Sequence, residues 1–116
     1  MILPDYKSYS VSRNNKEPLR FLGLLIARAA SSPDSDNSQF SGVMGEWVEF
    51  SLYLRQIGGY VCQICHFDCS VEVAPVKAHY SVSVCDTEKE IRVFFGVNNV
   101  AKRLYAKAQE KGVICN

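Results

Sequence analysis

Hydrophobic and polar residues alternate most regularly between residues 46 and 68, where two runs rich in β-branched and aromatic side chains flank Gly58-Gly59. A Gly-Gly pair in this setting predicts a tight hairpin turn, because both turn positions need positive φ. Placing Ile57 opposite Tyr60 sets the predicted register. One face then carries the mostly apolar pairs Val48 with Cys69, Phe50 with Phe67, Leu52 with Cys65, and Leu54 with Gln63. The other face carries the mixed pairs Glu49 with Asp68, Ser51 with His66, Tyr53 with Ile64, and Arg55 with Cys62. This division predicts a sheet with one buried side.

Alternation continues after the hairpin and predicts two further strands, over residues 77–85 and 90–97, joined by the polar loop 86–89. The residues expected on the inward face are Ala78, Tyr80, Val82 and Val84 in the first strand, and Ile91, Val93, Phe95 and Val97 in the second. With the hairpin, these strands form a four-stranded antiparallel meander. A short edge strand is also expected over residues 7–12, where Tyr9 and Val11 alternate with serines.

Helical periodicity marks both ends of the chain. Near the N-terminus, Leu19, Leu22, Ile26 and Ala29 recur at helical spacing after a cap at Asn14 or Asn15. The second helix is predicted over residues 100–111, after a cap at Asn98 or Asn99 and before Gly112. The apolar stripe of this helix comprises Val100, Ala101, Leu104, Tyr105 and Ala108.

The order helix, four-stranded antiparallel meander, helix predicts an α+β two-layer sandwich with both helices on one sheet face. A length of 116 residues fits a single domain spanning residues 1–116. Within this domain, residues 1–14 form an N-terminal segment. Residues 31–45, rich in Ser, Asp, Asn and Gly, are expected to form a mobile loop.

Charge and cysteine content narrow the class of protein. A net charge of +1 gives no general attraction to nucleic acid or to an anionic membrane. No apolar run reaches the roughly 20 residues that span a bilayer, and no secretory signal begins the sequence. Five cysteines without an export signal are expected to be free thiols in a cytoplasmic protein. Small domains of this kind are frequent in mobile elements and phages, and this one is expected to come from such a source.

The cysteines allow two alternative kinds of site. Cys62, Cys65, His66 and Cys69 have spacing that could bind zinc, and Cys62 to His66 matches the short pattern for covalent haem attachment. Alternation along a strand separates these side chains onto two faces, however, and neither a metal nor another cofactor is expected. The second alternative is a thiol-dependent site formed by Cys62, His66, His79 and Cys85, with His79 as a base beside a thiol.

The leading hypothesis is a non-enzymatic interaction protein. A second sheet face left uncovered by the helices would expose aromatic and arginine side chains, the composition of an interface core. The residues assigned to this interface are Trp47, Tyr53, Arg55, Tyr60, Ile64, His66, His79, Arg92 and Phe94. The expected partner is a second copy of the chain or another protein, and no membrane is involved. A less favoured alternative is nucleic-acid binding through the basic side of the last helix, Lys102, Arg103, Lys107 and Lys111.

Overall fold

A computed structural model describes residues 5–31, 45–69 and 77–114. The described residues form β1 Lys7–Arg13, β2 Lys16–Ala30, β3 Gly45–Arg55, β4 Tyr60–Cys69, β5 Lys77–Cys85, α1 Glu88–Phe95 and α2 Asn99–Glu110. The strands make one antiparallel sheet in the order β1-β2-β3-β4-β5, which confirms the α+β class. The predicted mobile loop at residues 31–45 lies, apart from its two end residues, outside the described part of the chain.

The predicted N-terminal helix is wrong, because residues 16–30 form the long strand β2. Asn14 and Asn15 lie in the turn between β1 and β2, where Asn15 has a φ of 56°, and neither caps a helix. A continuous apolar run fits a strand buried on both faces as well as it fits a buried helix, so periodicity alone does not separate the two. The predicted edge strand at residues 7–12 is confirmed as β1.

The β3–β4 hairpin is confirmed, but its predicted register is wrong. Gly58 and Gly59 have φ values of 109° and 80°, as the turn prediction requires. The loop is nevertheless longer than two residues, since Arg55 N donates a hydrogen bond of 2.9 Å to the carbonyl oxygen of Gly59. Leu54 therefore lies opposite Tyr60, three residues from the prediction. An odd shift exchanges the two faces of β4, so Cys62 enters the core.

The predicted strand over residues 90–97 is also wrong, because residues 88–95 form α1. Thr87 Oγ1 accepts a hydrogen bond of 3.2 Å from Glu90 N, and Glu90 Oε1 accepts one of 3.3 Å from Thr87 N. This reciprocal capping box starts a helix that buries Ile91 and Phe95, four residues apart. The predicted second helix is confirmed as α2, with Asn98 as its N-cap.

Both helices pack on one face of the sheet, here called the helix face. Its core contains Phe50, Leu52, Cys62 and Cys85 from the sheet, Ile91 and Phe95 from α1, and Val100, Ala101, Leu104, Tyr105 and Ala108 from α2. Because Cys85 belongs to this core, Tyr80, Val82 and Val84 point to the opposite face, which is a correction to the predicted inward face of β5. Phe67 is on that opposite face as well.

The opposite side of the sheet, here called the hairpin face, has a smaller core. The sheet curls so that the β1–β2 hairpin folds back over it and buries Val11 against Tyr53 and Val61. Two hydrogen bonds attach this hairpin to β4 and β5. Gln63 Nε2 donates to the carbonyl oxygen of Ser12 at 3.0 Å, and Tyr80 N donates to Asn14 Oδ1 at 3.0 Å. β2 and β3 thus contribute side chains to a core on each face.

Candidate functional site

The hairpin face has one half covered by the β1–β2 hairpin and another half that no described element covers. The half nearest the Gly58–Gly59 turn is covered by the β1–β2 hairpin. The other half carries six side chains, here called the open end: Arg28, Trp47, Glu49, Cys65, Phe67 and Tyr80. Both α1 and α2 pack on the opposite face, so neither described helix covers the open end.

The open end consists of three rows that cross the sheet. In the first, Arg28 lies opposite Ser51, which lies opposite Gln63, but Ser51 and Gln63 are buried, so only Arg28 of this row belongs to the open end. The second row, two residues further along β3, brings Glu49 opposite Cys65 and Cys65 opposite Tyr80. The third row places Trp47 opposite Phe67. Alternate residues of a strand share a face, so these rows lie side by side on one surface.

Arg28 is exposed, yet its guanidinium is held in one orientation. Nε donates to Ser51 Oγ at 3.1 Å, and Nη2 donates to Tyr53 Oη at 3.4 Å. The residues that accept these bonds are almost fully buried, with Ser51 3% and Tyr53 5% exposed. Tyr53 is itself fixed by two ring contacts, with centroids 4.9 Å from Tyr9 and 5.4 Å from Phe21. A long flexible side chain is therefore anchored by the core of the covered half.

Trp47 and Phe67 form an aromatic pair in the third row. Their ring centroids are 5.1 Å apart, and the planes differ by 22°. Both residues are half-buried. Stacked rings offer a rigid apolar surface that loses little conformational entropy when another group packs on it.

Cys65 lies between the arginine and the aromatic pair and is buried. Burial and, to a smaller extent, the nearby Glu49 carboxylate raise the pKa of its thiol to about 11, although the charge of Arg28 opposes both effects. A thiol with this pKa stays protonated at neutral pH and is a poor nucleophile. The open end thus offers a ligand one fixed cation, one carboxylate and an aromatic surface.

The raised pKa of Cys65 predicts that stability falls in alkaline solution. The native state keeps the thiol proton up to about pH 11, whereas an unfolded chain releases it near pH 9.0. Between these values the unfolded state binds fewer protons, so the free energy of unfolding decreases as pH rises. Urea unfolding at several pH values in this window should give a steeper decrease for the wild type than for Cys65→Ala. If the free energy of unfolding decreased with pH equally in the two proteins, the raised pKa of Cys65 would be contradicted.

The nine residues predicted for the interface do not share one surface. Only Trp47 lies at the open end, and Tyr53 lies on the same face but is buried beneath the hairpin. Arg55 holds the turn, its Nε donating to the carbonyl oxygen of Gly58 at 2.8 Å. The residues on the helix face are Tyr60, Ile64, His66 and His79. Arg92 and Phe94 belong to α1, where Arg92 pairs with Glu88 at 2.9 Å and lies over the ring of Tyr105.

No family model, curated protein or solved structure matches this chain significantly. The chemistry of the described side chains therefore decides between the candidate functions.

The residues of the predicted thiol site are separated in the structure. Cys62 Sγ lies 3.7 Å from Cys85 Sγ in the helix-face core, where both are free thiols. Burial, with the adjacent Cys85, raises the pKa of Cys62 well above its usual value. His66 and His79 lie opposite each other, four residues further along β4 and therefore roughly 13 Å away. By this register neither histidine approaches either thiol.

The predicted metal ligands divide between the two faces of β4. Cys62 and His66 lie on the helix face and Cys65 on the hairpin face, while the side chain of Cys69 is outside the described part of the structure. Among the described residues, no three His, Cys, Asp or Glu side chains are grouped as a metal ion would require.

Half of the basic side of α2 has a structural contact. Arg103 Nη2 donates to the carbonyl oxygen of Ala30 at 2.5 Å, and Lys107 Nζ donates to that of Arg28 at 2.7 Å. These bonds attach α2 to the end of β2, whereas Lys102 and Lys111 are exposed. Neither described helix has the length and apolar character needed to cross a bilayer.

Sequence reasoning missed Arg28, Glu49, Cys65, Phe67 and Tyr80 as neighbours for two identifiable reasons. Arg28 was assigned to a helix, and the shifted register moved the β4 residues to the wrong face. One signal could have corrected the first error. The pair Asn14-Asn15 lies between two segments that can both be extended. Such a pair is also typical of a hairpin turn, because Asn adopts positive φ more readily than most residues.

Proposed function

We propose that this protein is a non-enzymatic binding protein that holds a segment of a partner protein on the open end. The observation that carries the proposal is the half-buried Trp47–Phe67 pair on the same surface as the fixed guanidinium of Arg28. Tryptophan, tyrosine and arginine are the residues that contribute most to binding energy at protein interfaces. The proposal retains the non-enzymatic interaction protein that the sequence predicts, but with a different set of interface residues.

The size of the open end favours a short segment as the occupant. Four strands about 4.8 Å apart and four residue spacings of roughly 3.3 Å each give a surface on the order of 250 Å². A stable interface between folded proteins buries about 800 Å² on each partner. The open end alone is too small for that, but its length of roughly 13 Å along the strands accommodates about four residues of an extended chain. A second copy of the protein, the other partner considered from the sequence, would need additional surface.

Binding is favoured over catalysis by the groups that the open end contains. Its thiol is protonated at neutral pH, and the hydroxyl of Tyr53 is occupied by Arg28. Covalent catalysis needs an activated nucleophile beside a base, whereas the Glu49 carboxylate opposite Cys65 raises the pKa of the thiol and so keeps it protonated. A cytoplasmic location remains a prediction of the sequence.

Selection of short random peptides displayed on phage tests the proposal directly. Peptides enriched on the immobilised wild-type protein should bind Trp47→Ser at least about tenfold more weakly, because truncation of a central aromatic residue typically costs 2 kcal/mol or more. Ile57→Ser is the matched control, since Ile57 is an exposed apolar residue at the far end of the same hairpin. Binding to this control should equal binding to the wild type.

Three other results would contradict the proposal. The selection could enrich no peptide, or the enriched peptides could bind Trp47→Ser as tightly as the wild type. A wild-type protein that is a dimer by native mass spectrometry, and becomes a monomer on Trp47→Ser, would instead identify the occupant as a second copy.

A further inference from the structure

Resting on this proposed function, we infer that Arg28 determines specificity by binding the carboxylate of an acidic side chain in the partner segment. Four features of the open end support the inference: the free donors of the guanidinium, its unneutralised charge, the position of Glu49, and the distance to the aromatic pair.

The guanidinium presents unused donors at the surface. An arginine carries five N–H groups in a planar fork that matches the two oxygens of a carboxylate. Nε and one N–H of Nη2 are directed to Ser51 and Tyr53. The remaining three N–H groups have no hydrogen-bond partner among the described residues, and the residue as a whole is exposed. Because two buried hydroxyl groups fix the plane of the fork, little rotamer entropy is lost when a ligand binds to it.

The charge of Arg28 is not neutralised by the groups that hold it. Hydroxyl oxygens accept hydrogen bonds but carry no formal charge. Within the described part of the chain, Arg28 makes no ion pair with a carboxylate. Arg92, by comparison, has Glu88 at 2.9 Å. Arg28 is thus a positioned cation on a surface that also has apolar area, which is the arrangement expected for recognition of one negative group.

Glu49 makes a carboxylate a better ligand than a phosphate. It lies in the next row of the same surface, close enough to Cys65 to raise the pKa of that thiol. A phosphate group carries up to two negative charges at neutral pH and would be repelled more strongly by Glu49 than a singly charged carboxylate would. The same repulsion disfavours a second acidic residue in the part of the ligand that crosses the middle row.

The spacing of the open end predicts a pattern in the ligand. Arg28 is opposite Ser51, and Trp47 is four residues from Ser51 along β3, or roughly 13 Å. An extended peptide aligned with the strand advances the same distance in four residues, and its side chains four apart point to the same side. The partner segment should therefore have Asp or Glu four residues from an aromatic or large aliphatic residue, with no acidic residue between them.

A double-mutant cycle on an enriched peptide tests the assignment. The peptide and its Glu→Gln or Asp→Asn analogue are titrated against wild-type protein and Arg28→Gln by fluorescence anisotropy. For the wild type, loss of the charge should weaken binding roughly tenfold or more, as expected for a charge-assisted hydrogen bond. For Arg28→Gln, the two peptides should bind equally. Lys102→Gln, which removes an exposed cation from α2, should behave as the wild type does.

A second variant separates the position of the cation from its charge. The double substitution Ser51→Ala with Tyr53→Phe keeps Arg28 but removes both hydroxyl groups that orient it. Binding of the acidic peptide should weaken several-fold, while binding of the neutral analogue stays unchanged. Circular dichroism and urea unfolding of each variant exclude loss of the fold as the cause.

The outcomes distinguish this inference from the proposed function. Two results would overturn only the role of Arg28. The peptides could depend on Trp47 for binding but contain no acidic residue, or the Glu→Gln analogue could bind more weakly by the same factor to the wild type and to Arg28→Gln. Enriched peptides that bind Trp47→Ser as tightly as the wild type would overturn the binding surface itself.

Discussion

Replacement of Leu52 by alanine should reduce the free energy of unfolding by about 2–5 kcal/mol. Leu52 is completely buried in the helix-face core, and its strand lies between β2 and β4. Removal of three carbon atoms at this position loses their transfer free energy and leaves a cavity that the surrounding sheet is too constrained to fill. The total stability of a domain is only about 5–15 kcal/mol, so this single change would leave a substantial unfolded population under mild denaturing conditions.

Leu22→Ala is the matched control for Leu52→Ala. Leu22 is the same residue type on a neighbouring strand but is 49% exposed. Its replacement should change stability by less than about 0.5 kcal/mol. The two variants are compared with the wild type by urea unfolding, monitored by circular dichroism. If Leu22→Ala were the more destabilising change, the assignment of the two faces of the sheet would have to be abandoned.

Gly23→Ala is expected to have the second-largest effect, a loss of about 3 kcal/mol. A Cβ atom at Gly23 would overlap the backbone carbonyl oxygen of Leu54 and would lie 3.2 Å from a ring carbon of Phe21. The Leu54 carbonyl belongs to β3, which is hydrogen-bonded to strands on both sides. It cannot move aside without disturbing the ladder, so the added methyl group would strain both strands.

Gly112→Ala distinguishes steric overlap from a general penalty for replacing glycine. Gly112 follows α2 with a φ of 76°, and no atom lies within 4 Å of a Cβ built there. Its substitution should cost about 1 kcal/mol, from backbone conformation alone. Thermal unfolding of the two variants should therefore give a clearly larger decrease in Tm for Gly23→Ala. Similar decreases would mean that β2 and β3 are further apart at this point than the structure places them.

The sequence allowed the segments with short-range signals to be predicted. The Gly58-Gly59 turn, the strand 77–85 and the helix after Asn98 each carry their own turn, alternation or capping signal. Two elements were predicted wrongly because their pattern fits both structures. Residues 16–30 pack on both faces of the sheet, so their apolar side chains do not alternate with polar ones. Apolar and polar residues alternate by chance in residues 88–95, but the capping box formed by Thr87 and Glu90 favours a helix.

The candidate site was less accessible to sequence reasoning than the fold. The sequence predicts an aromatic and arginine surface on a sheet, and Trp47 is among the residues predicted for it. Which residues share this surface depends on the register of the hairpin, however. The observed register differs from the predicted one by three residues, which places Cys65 and Phe67 on the other face of β4. Register follows from loop length, and the sequence does not show that Arg55 extends the Gly58–Gly59 turn through its backbone and side chain. The fixed orientation of Arg28 depends on tertiary structure still more, because only the fold brings Ser51 and Tyr53 within hydrogen-bond distance of its guanidinium.

The hydrogen bond between Asn14 and Tyr80 also bears on self-association. An outermost strand offers unpaired N–H and C=O groups along its free side, where another chain can add as a further strand and start aggregation. β5 is the last strand of the described sheet, and the Tyr80 N–H that would recruit such a chain is occupied by Asn14 Oδ1. The turn of the β1–β2 hairpin thus shields the edge of β5 at Tyr80. By folding over its own sheet, the β1–β2 hairpin leaves less of this strand edge for another chain to join.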